Sequence, residues 1–137
     1  MTLGKEQIDH INVVNWFNYQ FPELSDDFHH FANERVCSIQ QGRILKRMGV
    51  KKGVADFFLA VAAKGCFGLW IELKVGKNKP TKEQVEFIGR KNSRGYKADV
   101  AYGFDEAKEI IMDYLKDYRA VRCAIEPKNL YNSSTIC

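Results

Sequence analysis

Apolar residues recur at helical intervals along the N-terminal part of the chain. Over residues 6–20 they fall about one helical turn apart, and Pro22 ends the run. After a stretch that mixes turn formers with aromatic residues, a second and less regular apolar series over residues 36–48 stops at Gly49. The pattern therefore predicts two helices before the first strand.

Two nearly continuous apolar runs then predict a pair of buried strands. The first covers residues 56–62 and the second covers residues 67–75. Because only residues 63–66 separate the two runs, we expect an antiparallel hairpin. Two charges, Glu72 and Lys74, interrupt the second run at alternate positions. Charges inside an otherwise apolar strand require a structural or functional reason.

The rest of the chain alternates between helix and strand patterns. Thr81 can cap a helix with Gln84 as its capping-box partner, and Gly95 marks the C-terminal end of that helix. Residues 98–102 then predict a short strand, and residues 105–115 predict a last helix. A strand, helix, strand succession implies a right-handed parallel crossover. We therefore predict an α/β fold with the element order ααββαβα, in which helices flank a mixed sheet.

The length of 137 residues fits a single domain, which we place at residues 1–118. Residues 119–137 show little periodicity, and we expect them to form a weakly ordered tail. The start of the chain lacks an apolar secretory core, and no window approaches the roughly 18 uninterrupted apolar residues of a membrane helix. The four cysteines form no Cys-x-x-Cys pair. We therefore expect a cytoplasmic protein without a membrane span.

Basic residues are concentrated on either side of the predicted strand pair. The formal net charge of +4 and the pI near 8.9 permit a polyanionic partner without requiring one. Both clusters suggest nucleic-acid contacts, although any single lysine could equally be a solvated surface charge. The residues are Arg43, Lys46, Arg47, Lys51, Lys52, Lys77, Lys79 and Lys82. No base-reading motif is evident, so we expect no sequence-specific recognition by this chain alone.

Three charged residues are expected to meet at one end of the strand pair. Glu72 and Lys74 lie two residues apart in a strand and therefore project from the same face, and Asp56 stands at the mouth of the neighbouring antiparallel strand. Carboxylate oxygens are hard ligands suited to Mg²⁺ or Mn²⁺. A cation held there beside an ammonium group suits phosphodiester hydrolysis. The alternative is an ordinary Glu–Lys pair on a solvated sheet, which leaves Asp56 unexplained.

Three short motifs follow one another in order along the chain. They are Gly53-Val54-Ala55-Asp56, Ile71-Glu72-Leu73-Lys74 and Thr81-Lys82-Glu83-Gln84. Together they resemble the motifs of the PD-(D/E)xK nuclease superfamily, and within it the VRR-NUC family fits best. The resemblance spans most of the chain, from Glu6 and Trp16 in the first helix to the last helix. One departure is Ala55 where the family commonly has proline, which removes a rigid turn residue but no ligand.

The resemblance implies a restriction-endonuclease-like core with assigned site residues. Asp56 and Glu72 would bind the metal, the Leu73 carbonyl would add a ligand, and Lys74 would assist the attacking water. Gln84 and Glu6 are further catalytic candidates. For Gln84 the capping box is an equal explanation. For Glu6 the alternative is a favourable interaction with the helix dipole, and Asp9 competes for its role.

Two further residues lie where related proteins carry a polar segment near the site. These are His30 and Asn33, which are candidates for nucleic-acid contacts. The pair His29-His30 follows Asp26-Asp27, however, and the segment could equally be a solvated loop.

The function implied is a Mg²⁺- or Mn²⁺-dependent endodeoxyribonuclease acting on branched DNA such as Holliday junctions. A non-catalytic DNA-binding module with the nuclease fold, or a nuclease acting on RNA, would share the basic clusters. Because standalone relatives of this size are often viral, the resemblance also implies a phage source and the host cytoplasm. We further expect a symmetric homodimer, since two sites match a junction's two-fold symmetry. Four aromatic residues of the first helix suit an interface, but packing against the sheet is the alternative: Trp16, Phe17, Tyr19 and Phe21.

Overall fold

The computed structural model describes residues 2–32 and 37–118. These ranges contain four α-helices, one 3-10 helix and four strands. In chain order they are α1 (Lys5–Gln20), the 3-10 helix (Pro22–Asp27), β1 (Phe28–His30), α2 (Ile39–Arg47), β2 (Phe57–Leu59), β3 (Leu69–Lys74), α3 (Lys82–Ser93), β4 (Lys97–Tyr102) and α4 (Phe104–Leu115). The predicted tail, residues 119–137, lies outside the described residues. No helix in the described ranges is long and apolar enough to cross a membrane.

Every predicted helix and strand is present, with two additions and some changes of length. The 3-10 helix and β1 were not predicted. The first predicted strand, at residues 56–62, is shorter than expected because only Phe57–Leu59 pair with their neighbours. The second helix begins at Ile39, where the Ser38 hydroxyl accepts a hydrogen bond from the Gln41 amide and closes a capping box.

The sheet has the order β1-β2-β3-β4 and is mixed. β1 pairs with β2 and β2 pairs with β3 in the antiparallel sense, with Phe57 opposite Ile71. β3 and β4 are parallel, with Ile71 opposite Asp99, and α3 connects them. These pairings confirm both the predicted hairpin and the predicted parallel crossover.

One face of the sheet carries the hydrophobic core. Alternate residues of β2 and β3, among them Phe57 and Ile71, are buried and pack with α1 and α4. Aromatic residues of α1 belong to this core, since Phe17 is fully buried and Trp16 packs partly buried against the cluster. The core therefore accounts for most of the aromatics that had suggested an interface.

The opposite face of the sheet holds an aromatic cluster under α3. Trp70 of β3 stacks on Phe58 at 4.3 Å between ring centroids and meets Phe87 of α3 edge-on at 4.9 Å. The Lys91 ammonium lies 5.3 Å from the ring centroids of both Trp70 and Phe87. These contacts fix α3 on the face from which Glu72 also projects.

Candidate active site

Asp56 is held at the start of β2 by three hydrogen bonds. Its backbone carbonyl accepts from the Phe31 amide at 2.7 Å and from His30 Nδ1 at 2.9 Å. Its side-chain Oδ2 accepts from the Leu73 amide of β3 at 2.8 Å. The antiparallel register, continued one residue past Phe57, brings Asp56 opposite Glu72. The structure thus brings together the two carboxylates that their sequence positions had paired.

Glu72 lies buried in the middle of the site, with 2% of its surface exposed. Its Oε1 accepts a hydrogen bond from Gln84 Nε2 at 2.7 Å and lies 3.3 Å from Lys74 Nζ. Its Oε2 is buried and has no hydrogen-bond partner among the described residues. Burial, followed by the charge of Asp56, raises the pKa of Glu72 to about 7, although Lys74 acts in the opposite direction. Ionisation of Glu72 in its buried position is therefore unfavourable, and a positive charge placed nearby would make it less so.

Gln84 makes the capping contact and the site contact at the same time. Its Oε1 accepts from the Thr81 amide at 2.8 Å, and its own amide donates to Thr81 Oγ1 at 3.2 Å. The remaining amide nitrogen of the side chain is the group that donates to Glu72. The two explanations offered by the sequence are therefore compatible, because each uses a different atom of one side chain.

Gly53 allows the segment before Asp56 to approach α3 closely. Its φ of +82° is in the left-handed region, and a Cβ there would lie 2.6 Å from the Glu83 carbonyl group. Any other residue would push the start of α3, and with it Gln84, away from this segment. The glycine of the first motif thus has a packing function next to the site.

His10 of α1 belongs to the site and was not predicted from the sequence. Its Nδ1 contacts the Glu6 carbonyl at 2.8 Å, and its Nε2 lies 3.6 Å from Asp56 Oδ2. Burial disfavours the charged ring, but Asp56 and the Glu6 carbonyl outweigh burial and raise the pKa of His10 above 6.5. The spacing of four residues from Glu6 places both on one face of α1, but nothing in the local sequence indicates that this face meets Asp56.

The other candidates lie at different distances from this centre. Glu6 is exposed and lines a cavity whose wall includes Asp56, but within the described ranges its side chain forms no ion pair with the site. His30 contacts the Asp56 backbone. The Leu73 carbonyl as a ligand stays a prediction, and Asn33 lies outside the described residues.

The first basic cluster borders a groove that reaches the site. Arg43, Lys46, Lys51 and Lys52 line a cavity of about 900 Å³ whose wall also includes Gln84. The other basic candidates do not line it: Arg47, Lys77, Lys79 and Lys82 are exposed elsewhere, and Lys82 lies 3.9 Å from Glu86. The structure therefore divides the predicted nucleic-acid contacts into a groove set and a peripheral set.

The donor set at Asp56 and Glu72 fits a hard divalent cation. Within residues 2–32 and 37–118 no group of three or more His, Cys, Asp or Glu side chains is arranged to hold a metal. Mg²⁺ commonly keeps several waters and uses only one or two carboxylates together with substrate phosphates. The unpartnered Glu72 Oε2 is a carboxylate oxygen, a ligand of the required type.

Comparison with known proteins decides the family. No family model matches the chain, and no curated protein matches it. A solved structure described as "VRR_NUC domain protein" is similar to it with a TM-score of 0.70 and 32% identity, over 85% of this chain and 92% of that chain. The chain belongs to the VRR-NUC family. This VRR-NUC protein therefore has a nuclease-type domain with the restriction-endonuclease-like fold, which confirms the resemblance seen in its motifs.

Proposed function

We propose that this VRR-NUC protein is a Mg²⁺- or Mn²⁺-dependent endodeoxyribonuclease whose catalytic residues include Asp56, Glu72 and Lys74. The observation that carries the proposal is the buried Glu72 Oε2, which has no hydrogen-bond partner among the described residues and lies next to a second carboxylate. A buried carboxylate oxygen without a partner is costly. A cation held by both carboxylates would offset that cost.

Each side chain has a distinct role in this mechanism. Asp56 and Glu72 would hold the cation, with the Leu73 carbonyl as a further ligand. When bound, a hard divalent cation supplies charge that stabilises the phosphate in the transition state and makes water more acidic. The Lys74 ammonium projects from the same strand face as Glu72 and can donate a hydrogen bond to the attacking water or to the phosphate. Gln84 orients Glu72 through its amide nitrogen.

The groove set would bind the DNA backbone. Arg43, Lys46, Lys51 and Lys52 line one groove that leads to Gln84, so a strand lying along it would reach Glu72. Phosphate contacts from such residues supply affinity without sequence information. This arrangement favours cleavage that depends on the shape of the DNA.

A preference for branched DNA and a symmetric homodimer extend the proposal. The support is that resolving a four-way junction requires cuts in two opposed strands, which two sites related by a two-fold axis can make together. The aromatics in α1 and at its C-terminal end lend little support, since Trp16, Phe17 and Phe21 pack in or against the core. Tyr19, with 86% of its surface exposed, is the member of that set available for an interface.

The test is cleavage of a fixed junction, a flap, a matched linear duplex, single-stranded DNA and RNA, with sedimentation equilibrium run in parallel. We expect Mg²⁺ or Mn²⁺ to support cutting of DNA, Ca²⁺ to permit binding with little turnover, and Asp56→Asn to be inactive. Binding without cutting under every cation would favour the non-catalytic alternative. Cutting of RNA alone would favour the RNA nuclease, and a monomer that cuts junction and duplex equally would contradict the extension.

A further inference from the structure

A cavity of about 760 Å³ lies beside the proposed catalytic centre and is not used by the mechanism above. Asp56 forms part of its wall, and the remainder comes from α1, the residues preceding α1, and the segment at the end of β1. Its volume is within the range of about 300–1,000 Å³ that is usual for small-ligand sites. A cavity of this size next to the reacting phosphate can accept part of the substrate.

The apolar part of the lining is exposed, and its aromatic ring is held by a stacking contact. Leu3, Ile11 and Phe31 are 45%, 44% and 37% exposed, and all three line this one cavity. The Phe31 ring stacks on Trp70 with centroids 5.7 Å apart and an angle of 27° between the planes. Concave clustering of exposed apolar side chains is typical of a binding site.

The polar part of the lining offers both donors and acceptors. The Gln7 side-chain oxygen accepts from the Gly4 amide, so its amide nitrogen remains available. The Asn15 side chain has no hydrogen-bond partner among the described residues. His30 contacts the Asp56 carbonyl through Nδ1, which must therefore carry a proton, and a neutral ring then presents Nε2 as an acceptor. A concave apolar wall that includes the aromatic ring of Phe31, combined with mixed donors and acceptors, suits a nucleobase.

We propose that this cavity binds an unpaired nucleobase of the strand being cut, next to the scissile phosphate. The proposal rests on the proposed function. Because Asp56 belongs both to the cavity wall and to the catalytic centre, the group nearest to the cavity is the base or sugar adjoining the reacting phosphate. Glu6, on the same wall, disfavours a phosphate but can accept from a base amino group. A base paired within a duplex cannot enter, so the substrate class is DNA with an unpaired or extruded nucleotide at the cut.

Helix α1 offers two matched pairs of positions for the test. Ile11 and Ile8 are 44% and 43% exposed, but only Ile11 lines the cavity. Asn15 and Asn12 are both exposed, and only Asn15 lines it. Ile11→Trp and Asn15→Trp, the cavity-filling variants, would occupy part of the cavity and cover its apolar wall. Ile8→Trp and Asn12→Trp, the control variants, place the same ring on the neighbouring face of α1.

The probe is a DNA duplex with a short unpaired bubble that carries 2-aminopurine at one position at a time, titrated in Ca²⁺ beside a fully paired duplex of the same sequence. We expect the wild type to change the fluorescence of 2-aminopurine at one position of the bubble. It should also bind the bubble about 5- to 150-fold more tightly than the paired duplex, as stacking of one base predicts. Both cavity-filling variants should lose the emission change and the preference. Both control variants should keep them.

Equal behaviour of the cavity-filling and control variants, or equal wild-type affinity for bubble and duplex, would overturn the cavity assignment. Thermal melting identifies a variant that does not fold. If Ile11→Trp does not fold, the comparison of Asn15→Trp with Asn12→Trp, both at exposed positions, decides the question. A wild type that cuts paired and unpaired DNA alike contradicts this inference alone. A wild type that cuts no DNA with Mg²⁺ or Mn²⁺ contradicts the proposed function instead.

Discussion

Glu72→Gln is expected to abolish cleavage and also to change how the stability of the metal-free protein depends on pH. Burial and the charge of Asp56 raise the pKa of Glu72 from 4.5 to about 7 in the folded state. The folded protein therefore binds this proton more tightly than the unfolded chain. The resulting stability is fully present below pH 4.5 and is lost as the pH rises through about 7.

The size of this effect follows from the change in pKa. One pKa unit corresponds to about 1.4 kcal/mol, so the wild type should lose about 3 kcal/mol from this group between pH 4.5 and 8. A glutamine cannot ionise and avoids that loss. Its amide nitrogen would, however, occupy the position of Glu72 Oε2 without a partner, which costs about 1–3 kcal/mol at every pH. The diagnostic quantity is therefore the difference in pH dependence between variant and wild type, because the constant cost cancels.

The assay is urea unfolding in EDTA at several pH values, followed by tryptophan fluorescence, with Glu109→Gln on exposed α4 surface as the control. The free energy of unfolding should fall more steeply with pH for the wild type and the control than for Glu72→Gln. Adding Mg²⁺ at pH 8 should stabilise the wild type, by about 2.7 kcal/mol at 100 times its dissociation constant, and should leave Glu72→Gln nearly unchanged. Parallel pH curves, or equal stabilisation of both proteins by Mg²⁺, would refute the reasoning.

Three further predictions concern residues of the site and of the groove that leads to it. Lys74→Ala should slow cleavage while Mn²⁺ binding, measured by calorimetry, stays largely intact, since an ammonium is not a ligand; wild-type turnover would contradict its role. Joint replacement of Lys51 and Lys52 by alanine should reduce the slope of log affinity against log salt by about 0.9 for each phosphate that the variant no longer neutralises. The control Lys116→Ala should leave the slope unchanged. An unchanged slope for the double variant would place the DNA elsewhere. His10→Gln should destabilise the metal-free protein more at pH 6 than at pH 9. The raised pKa of His10 gives stability that is present below pH 6.5 and is lost as the pH rises through the pKa of the folded state. A difference in unfolding free energy that does not vary with pH would contradict the ion pair with Asp56.

The parts of the fold that the sequence predicted well are those governed by local rules. The capping box of Thr81 and Gln84 and the alternation of Glu72 and Lys74 involve neighbours in the chain, and the structure has both. β1 was missed because it has three residues and pairs with β2, far away in sequence. His29 and His30 beside two aspartates carry no strand signal of their own. Only the partner strand makes this segment extended.

The candidate site was predictable to the same extent. Motif spacing identified Asp56, Glu72 and Lys74, whose elements are adjacent in the hairpin. His10 could not be placed, because its contact with Asp56 depends on how α1 packs over the end of the sheet. Packing of this kind is decided by the whole core and leaves no short-range pattern in the chain.

The position of the Glu72 side chain depends on α3 as much as on β3. Gln84 donates to Glu72 from the first turn of α3, and that turn lies against the backbone at Gly53. One turn further along α3, Phe87 meets the ring of Trp70, which projects from the same strand face as Glu72. The aromatic cluster and Gly53 therefore fix the position of α3 over the sheet, and α3 in turn orients the Glu72 carboxylate through Gln84. Keeping the ionised Glu72 buried costs stability in the metal-free protein, and these contacts hold it in place despite that cost, as the proposed catalytic role requires.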